Sequence, residues 1–227
     1  MDNLLARERG IMRLIPALAK ATKLVVVGGY AVSTYMRRFS VDLDIVISGA
    51  GLENIKSALL HMGFEKGYSK ELENVYDEKF ERYSSKAGNL PIGVDILVNG
   101  LVSRKTGASW GFEYVVKNSE PRLLEGVEFL APKKELLVAM KLHSGRISDM
   151  RDVAALSSGL DIKEVVKHSK RGSGEFLNVL ENGIKYLKSW KFKDGFKGVF
   201  GQYNYKPGIV DRTVSLLEEV RRAFKTG

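Results

Sequence analysis

Cysteine is absent from the 227 residues, which removes disulfides, thiolate zinc sites and a thiol nucleophile from consideration. Histidine is almost as scarce. His61, His143 and His168 are scattered without metal-ligand spacing, so any metal would fall to carboxylates, which suit a hard cation. No apolar run approaches the ~20 residues that a membrane-spanning helix needs. The opening stretch, MDNLLARERGIMRLIPALAKATK, is interrupted by Arg7, Glu8, Arg9 and Arg13, which breaks the apolar core a secretory signal requires. The expectation is a cytoplasmic protein with no membrane partner.

What the chain has in quantity is charge. Lysine and arginine exceed the acids by nine, and the excess is uneven: +1 over residues 1–131 and +8 over residues 132–227. Such asymmetry makes a polyanion the first candidate partner. Composition also changes near this point, from alternating apolar runs to helical periodicity. We therefore read two domains, 1–131 and 132–227, the second a run of helices that starts with Pro132 in its first turn.

Residues 24–47, LVVVGGYAVSTYMRRFSVDLDIVI, read as a strand, a turn at Gly28-Gly29, a short helix and a second strand. Glycine lets the backbone turn sharply and present N–H groups at a helix start, where an anion such as phosphate is favoured. In the second strand Asp42 and Asp44 share a face, with Leu43 and Ile45 turned to the core. A third acid, Asp95, stands in the apolar run IGVDILV with its carboxylate aimed away from Val94 and Ile96. Carboxylates set among core-forming residues are costly without a compensating cation. Each feature alone has a plainer reading: a turn for the glycines, a solvated strand face for the acids.

This arrangement resembles the nucleotidyltransferase superfamily that includes DNA polymerase beta, whose signature is an apolar strand, GG or GS, a short helix, D-x-D and a third acid on a later strand. The resemblance implies an α/β (α+β) fold, a nucleotidyltransferase-type mixed β-sheet with flanking helices, followed by a C-terminal helical bundle. It also implies an enzyme that moves a nucleoside monophosphate from an NTP to an acceptor hydroxyl. Asp42, Asp44 and Asp95 would hold Mg²⁺ or Mn²⁺, and Gly28 and Gly29 would hold phosphates.

Further along, Lys141 precedes R-x-x-D-x-x-D formed by Arg146, Asp149 and Asp152, the two acids on one helix face. This is similar to the AbiEii-type, MenT-like toxins of toxin–antitoxin pairs, although Ser148 stands where their pattern has Lys. That likeness implies that Lys141, Arg146, Asp149 and Asp152 bind the nucleotide, that the acceptor is RNA at the 3′ end of tRNA, and that an antitoxin is a partner. A helix-surface ion network is the plainer alternative.

The remaining expectations are local. A helix over residues 3–20 packs on the first domain. GLENIKSALLHMG is a helix with Ile55, Leu59 and Met62 buried and Gly63 as its stop. Phe64, Tyr68, Val75, Tyr76, Phe80 and Tyr83 suggest short strands, and residues 92–98, 112–117 and 127–130 further strands. Residues 99–111 read as a loop whose Arg104 and Lys105 either reach phosphate or are simply solvated. Leu136, Leu137 and Met140 form the buried side of the helix after Pro132. Gly172 and Gly174 break residues 161–189 into helices. Residues 185–206 interleave Lys185, Lys188, Lys191, Lys193, Lys197 and Lys206 with seven aromatics. The lysines suit nucleic-acid phosphates, while most of the aromatics belong to a core. A helix with Ile209, Val210, Val214, Leu217 and Val220 as its apolar stripe closes the chain. Two other functions fit parts of this pattern: a small-molecule nucleotidyltransferase of the antibiotic-modifying kind, and a non-catalytic nucleic-acid-binding module.

Overall fold

The computed structural model describes residues 2–71, 79–87, 89–172 and 175–225. Val75, Tyr76 and Gly174 lie outside the described residues. The chain forms two compact units. One contains the described chain up to Thr34 with Phe39–Leu101 and Trp110–Pro132; the other contains Tyr35–Arg38, Val102–Ser109 and the chain from Lys133 onward.

The first unit is built on a five-stranded mixed sheet. In chain order its elements are Asp2–Ala21 (α1), Leu24–Val27 (β1), Gly28–Ser33 (α2), Asp42–Ile47 (β2), Leu52–His61 (α3), Glu65–Glu71 (β3), Lys79–Ala87 (β4) and Leu90–Val98 (β5). The strand order is β1-β2-β5-β4-β3, with β2 and β5 parallel and the other pairs antiparallel. On β2 and β5, Leu43, Ile45, Ile47, Val94, Ile96 and Val98 are buried, and α1 packs on β4, β5 and α3. Burying side chains of this size contributes about 1.5–3 kcal/mol each. The register is thereby fixed, because a one-residue slip would drive Asp42, Asp44 and Asp95 into the core.

Four local readings change. Met62 is exposed, Leu52 joins Ile55 and Leu59 on the buried side of α3, and Phe64 is buried just beyond the helix. The strands after it are long, not short, since β3 and β4 pair as a hairpin with a bulge between Lys66 and Tyr68. The expected loop contains a paired ribbon, Gly100–Val102 (β6) with Ser109–Gly111 (β7). Residues expected as a strand from 112 are a helix, Phe112–Lys117 (α4). Its β-branched and aromatic residues suggest a strand, but Phe112 and Val115 are the buried pair at helical spacing, and Glu113 and Lys117 suit the helix dipole. The hairpin Ser119–Leu124 (β8) and Val127–Pro132 (β9) follows, turned by Glu125 and Gly126, both at positive φ.

The second unit is helical: Lys134–His143 (α5), Asp149–Leu156 (α6), Ile162–Ser169 (α7), Glu175–Leu187 (α8), Trp190–Phe200 (α9) and Ile209–Lys225 (α10). Pro132 ends β9 instead of opening a helix, and Lys133 is the N-cap residue of α5. Nearly every side of α5 is buried: Val138, Ala139 and Leu142 join Leu136 and Leu137, whereas Met140 is only half-buried. Asp161 caps α7 by accepting hydrogen bonds from the Lys163 and Glu164 amides. Gly172 lies between α7 and α8, and a Cβ there would come within 2.6 Å of the His143 ring. On α10, Ile209, Val214, Leu217 and Val220 are buried with Leu216 and Thr213, and Val210 is half-buried. Among the described residues no helix is long and apolar enough to cross a membrane.

Candidate active site

The parallel pairing of β2 with β5 sets Asp44 directly opposite Asp95, and Asp42 opposite Gly93. Residues paired this way point to the same side, so the three carboxylates share the sheet face opposite Leu43, Ile45, Val94 and Ile96. Two glycines make room for them. A Cβ on Gly93 would lie 2.5 Å from Asp42 Oδ1, and a Cβ on Gly28 would lie 1.9 Å from Asp44 Oδ2. Gly28 also has φ +64°, a conformation that L side chains rarely adopt. The turn after β1 therefore sits against the second acid, with Gly29 buried in the first turn of α2.

A fourth residue joins this cluster. Arg82, on β4, pairs with Asp95 across the antiparallel ladder. Its Nε donates to Asp95 Oδ1 at 2.6 Å, and its Nη2 donates to Asp95 Oδ2 at 2.8 Å and to Asp42 Oδ2 at 3.0 Å. Its hydrogen bond to Asp95 raises the guanidinium pKa, and the charges of Asp95, Asp42 and Asp44 add to the effect. Burial pushes the Asp95 carboxyl above its usual range, Asp42 pushes the same way, and Arg82 only partly offsets them. The sequence reading missed Arg82. Its only signal was alternation in KFERYSSK, which puts Arg82 on the face opposite Glu81 and Tyr83. Those two lie on the helix-covered side, where Glu81 is buried, accepts from the Tyr83 hydroxyl and pairs with Lys56, Lys66 and Lys79.

Three aspartates supply the hard oxygen donors that Mg²⁺ or Mn²⁺ prefers, and the space left by Gly28 and Gly93 is shaped to the carboxylates. By chemistry the residues fit such an ion. As arranged, however, no three acidic or histidine side chains among the described residues stand ready to hold a metal. Asp42 and Asp95 close on Arg82 instead.

Lys141, Arg146, Asp149 and Asp152 come together in the helical unit. Lys141 is buried, with Nζ 3.2 Å from Asp149 Oδ1 and 2.7 Å from Asp152 Oδ2. Arg146 Nε donates to Asp149 Oδ2 at 2.9 Å, and the Ser144 hydroxyl donates to the same oxygen at 2.6 Å. Burial would raise the Asp149 carboxyl, but Lys141, then Arg146 and Ser144, bring it below its ordinary value. Arg38, which the sequence reading did not single out, donates from Nη1 to Asp152 Oδ1. It precedes β2 by only a few residues, and nothing local in MRRFS signals a partner at position 152. Beside this network His143 is buried, donates from Nε2 to the Ser169 carbonyl at 2.8 Å, shares a hydrogen bond between Nδ1 and the Thr106 hydroxyl, and stacks on Phe176. Burial lowers its pKa to about 4.

Of the candidate nucleic-acid lysines, Lys185, Lys188, Lys191 and Lys193 are exposed, and Lys197 is half-buried with Nζ 5.3 Å from the Tyr205 ring centre. The aromatics divide. Phe192, Phe196 and Phe200 are buried and in contact with one another or with Tyr205, whereas Trp190 is 72% exposed and Tyr203 89%. Arg104 and Lys105 are exposed, Lys105 standing 3.9 Å from Glu175.

No protein-family model matches the chain, and no curated protein matches it. Two solved structures resemble it over its whole length. A "putative nucleotidyltransferase" from H. pylori aligns with TM-score 0.51 and 15% identity, covering 100% of this chain and 98% of that one. JHP933 from Helicobacter pylori aligns with TM-score 0.50 and 15% identity, covering 100% and 95%. At this identity the likeness is one of fold, and it is to a nucleotidyltransferase-type fold.

Proposed function

We propose that this chain is a metal-dependent nucleotidyltransferase that moves a nucleoside monophosphate from an NTP to an acceptor hydroxyl with release of pyrophosphate. The observation that carries the reading is the β2–β5 register, which lines up Asp42, Asp44 and Asp95 on one face beside the Gly28 turn. Those three carboxylates would hold Mg²⁺ or Mn²⁺. When bound, such an ion lowers the pKa of an acceptor hydroxyl and neutralises phosphate charge. Asp95, whose carboxyl is raised by burial, is the acid suited to accept the hydroxyl proton. The Gly28-Gly29 backbone would cradle phosphate oxygens. In the helical unit, Arg146 is the exposed cation of its network, paired with Asp149, and so the one a triphosphate would meet first. Lys141, with Asp149 and Asp152, holds that network in place.

The acceptor we read as RNA, and the wider role as that of a toxin acting on the 3′ end of tRNA and countered by an antitoxin protein. What supports RNA is the excess charge of residues 132–227 and the exposed Lys185, Lys188, Lys191 and Lys193 beside Trp190, since lysines meet phosphates and an open aromatic face stacks on bases. Incubation with each labelled NTP, Mg²⁺ and total RNA tests both parts. Label is expected on RNA, whereas label on small molecules alone would favour an antibiotic-modifying type of transferase. Neutralising Lys188, Lys191 and Lys193 together should weaken every RNA alike and flatten a salt dependence of roughly −0.7 log units of affinity per log unit of salt for each contact. An unchanged slope would remove these lysines from the acceptor surface.

A second reading, a non-catalytic module on the same fold, draws on the bonds from Arg82 to Asp42 and Asp95, which give the acids a purely internal partner. Absence of label on any acceptor with any NTP would favour it.

A further inference from the structure

We infer that Arg82 is a resident counter-ion standing where a divalent cation must bind, so that metal binding and release of Arg82 are a single exchange. The inference rests on the metal-dependent reading above and adds to it a residue and a competition. Three observations carry it.

The first is occupancy of the donor atoms. Arg82 takes both oxygens of Asp95 through Nε and Nη2, and Nη2 also takes Asp42 Oδ2. A cation ligated at about 2.1 Å from the same oxygens would lie too close to the guanidinium nitrogens for both to stay. Fork and ion also carry like charge, so sharing the carboxylates is disfavoured twice over.

The second is the freedom of Arg82 to leave. Its side chain is 42% exposed, against 12% for that of Asp95. Lys141, the comparable cation of the helical unit, is 7% exposed between its two aspartates and has no such freedom. Neighbours on the strand would stay behind. Glu81 and Tyr83 are buried on the other face of the sheet and hold the β4 backbone in place, so only the arginine side chain needs to move.

The third is that the acids are built for something other than the arginine. The space at Gly93 accommodates Asp42, and that at Gly28 accommodates Asp44. An Arg–Asp pair between β4 and β5 would need neither. Once displaced, the guanidinium remains tethered beside the cluster as a cation suited to a phosphate oxygen, since its planar fork matches that geometry.

The test uses metal binding, not turnover. Mn²⁺ binding to the full chain is followed by the fall of the free-ion electron paramagnetic resonance signal, for wild type, Arg82→Gln and Arg82→Lys. In parallel, Mg²⁺ is titrated into labelled wild type while the Arg82 Nε–H resonance is observed. Arg82→Gln is expected to bind Mn²⁺ about tenfold more tightly than wild type, the scale of one charge-assisted hydrogen-bonded pair. Arg82→Lys, which keeps the charge but not the fork, should fall between. In wild type the Nε–H signal should shift or exchange away along the same curve as metal binding, an arm that needs no variant to fold. If Mn²⁺ binds wild type and Arg82→Gln equally, or Mg²⁺ saturates with the Nε–H signal unmoved, the exchange is overturned and the metal-dependent reading stands. If neither protein binds Mn²⁺ in the millimolar range, the metal-dependent reading falls and takes this inference with it.

Discussion

Replacing Gly28 with alanine probes the site at the point where backbone and acid meet. Two costs are expected. The residue sits at φ +64°, and an L side chain held in the left-handed region costs about 1–2 kcal/mol. The added Cβ would also lie 1.9 Å from Asp44 Oδ2 and 2.7 Å from Asp44 Cγ, so Asp44 must move, a cost of about 1–3 kcal/mol by analogy with overpacked cores. Gly28→Ala should therefore lose about 2–5 kcal/mol. In an Asp44→Ala background the nearest remaining atom is the Cβ of residue 44, at 3.1 Å, and the loss should shrink towards the backbone term alone. The coupling of the double-mutant cycle should thus be about 1–3 kcal/mol. Urea unfolding followed by tryptophan fluorescence suits the measurement, because Trp110 is buried in the sheet unit and Trp190 is already exposed. An equal loss in both backgrounds would show that Asp44 does not lie against Gly28, and the cradle would be wrong.

Two further outcomes concern the helical unit. Lys141→Ala leaves Asp149 and Asp152 buried without their shared cation, although Arg146 and Arg38 remain, so a loss of about 3 kcal/mol is expected. An unchanged melting temperature with weakened NTP binding would instead make Lys141 a nucleotide ligand. His143 titrates near its ordinary value in the unfolded chain but near about 4 when folded, so the unfolded chain binds the proton first. Its contribution is complete above about pH 6.5 and lost as pH falls through 4, some ~3 kcal/mol in all. The stability difference between wild type and His143→Gln should follow that window, and a flat difference from pH 7 to 4 would contradict it.

The acids were legible because strand alternation is a local property: Leu43, Ile45, Val94 and Ile96 fix which way Asp42, Asp44 and Asp95 point, whatever the rest of the chain does. Gly28 was legible for the same reason, as a turn between a buried strand and a short helix. Arg82 was not, since its importance depends on β4 lying beside β5 in one register out of many, and nothing in KFERYSSK encodes that pairing. Arg38 was hidden in the same way, since it stands 114 positions before Asp152 in the sequence. The misread helix at Phe112–Lys117 marks another limit, because β-branched residues follow the demands of packing when the two disagree. The basic stretch after Lys185 divided by exposure, something spacing alone could not provide: the phenylalanines went to the core, and Trp190 and Tyr203 to solvent.

The most direct test of nucleotidyl transfer is to compare wild type with Asp42→Asn and Asp44→Asn for transfer of label from an α-labelled NTP in the presence of Mg²⁺ and RNA. An amide is a poor ligand for a hard dication, so both variants should melt as folded proteins and transfer no label while wild type does. Label transferred equally by wild type and by both variants would contradict the account.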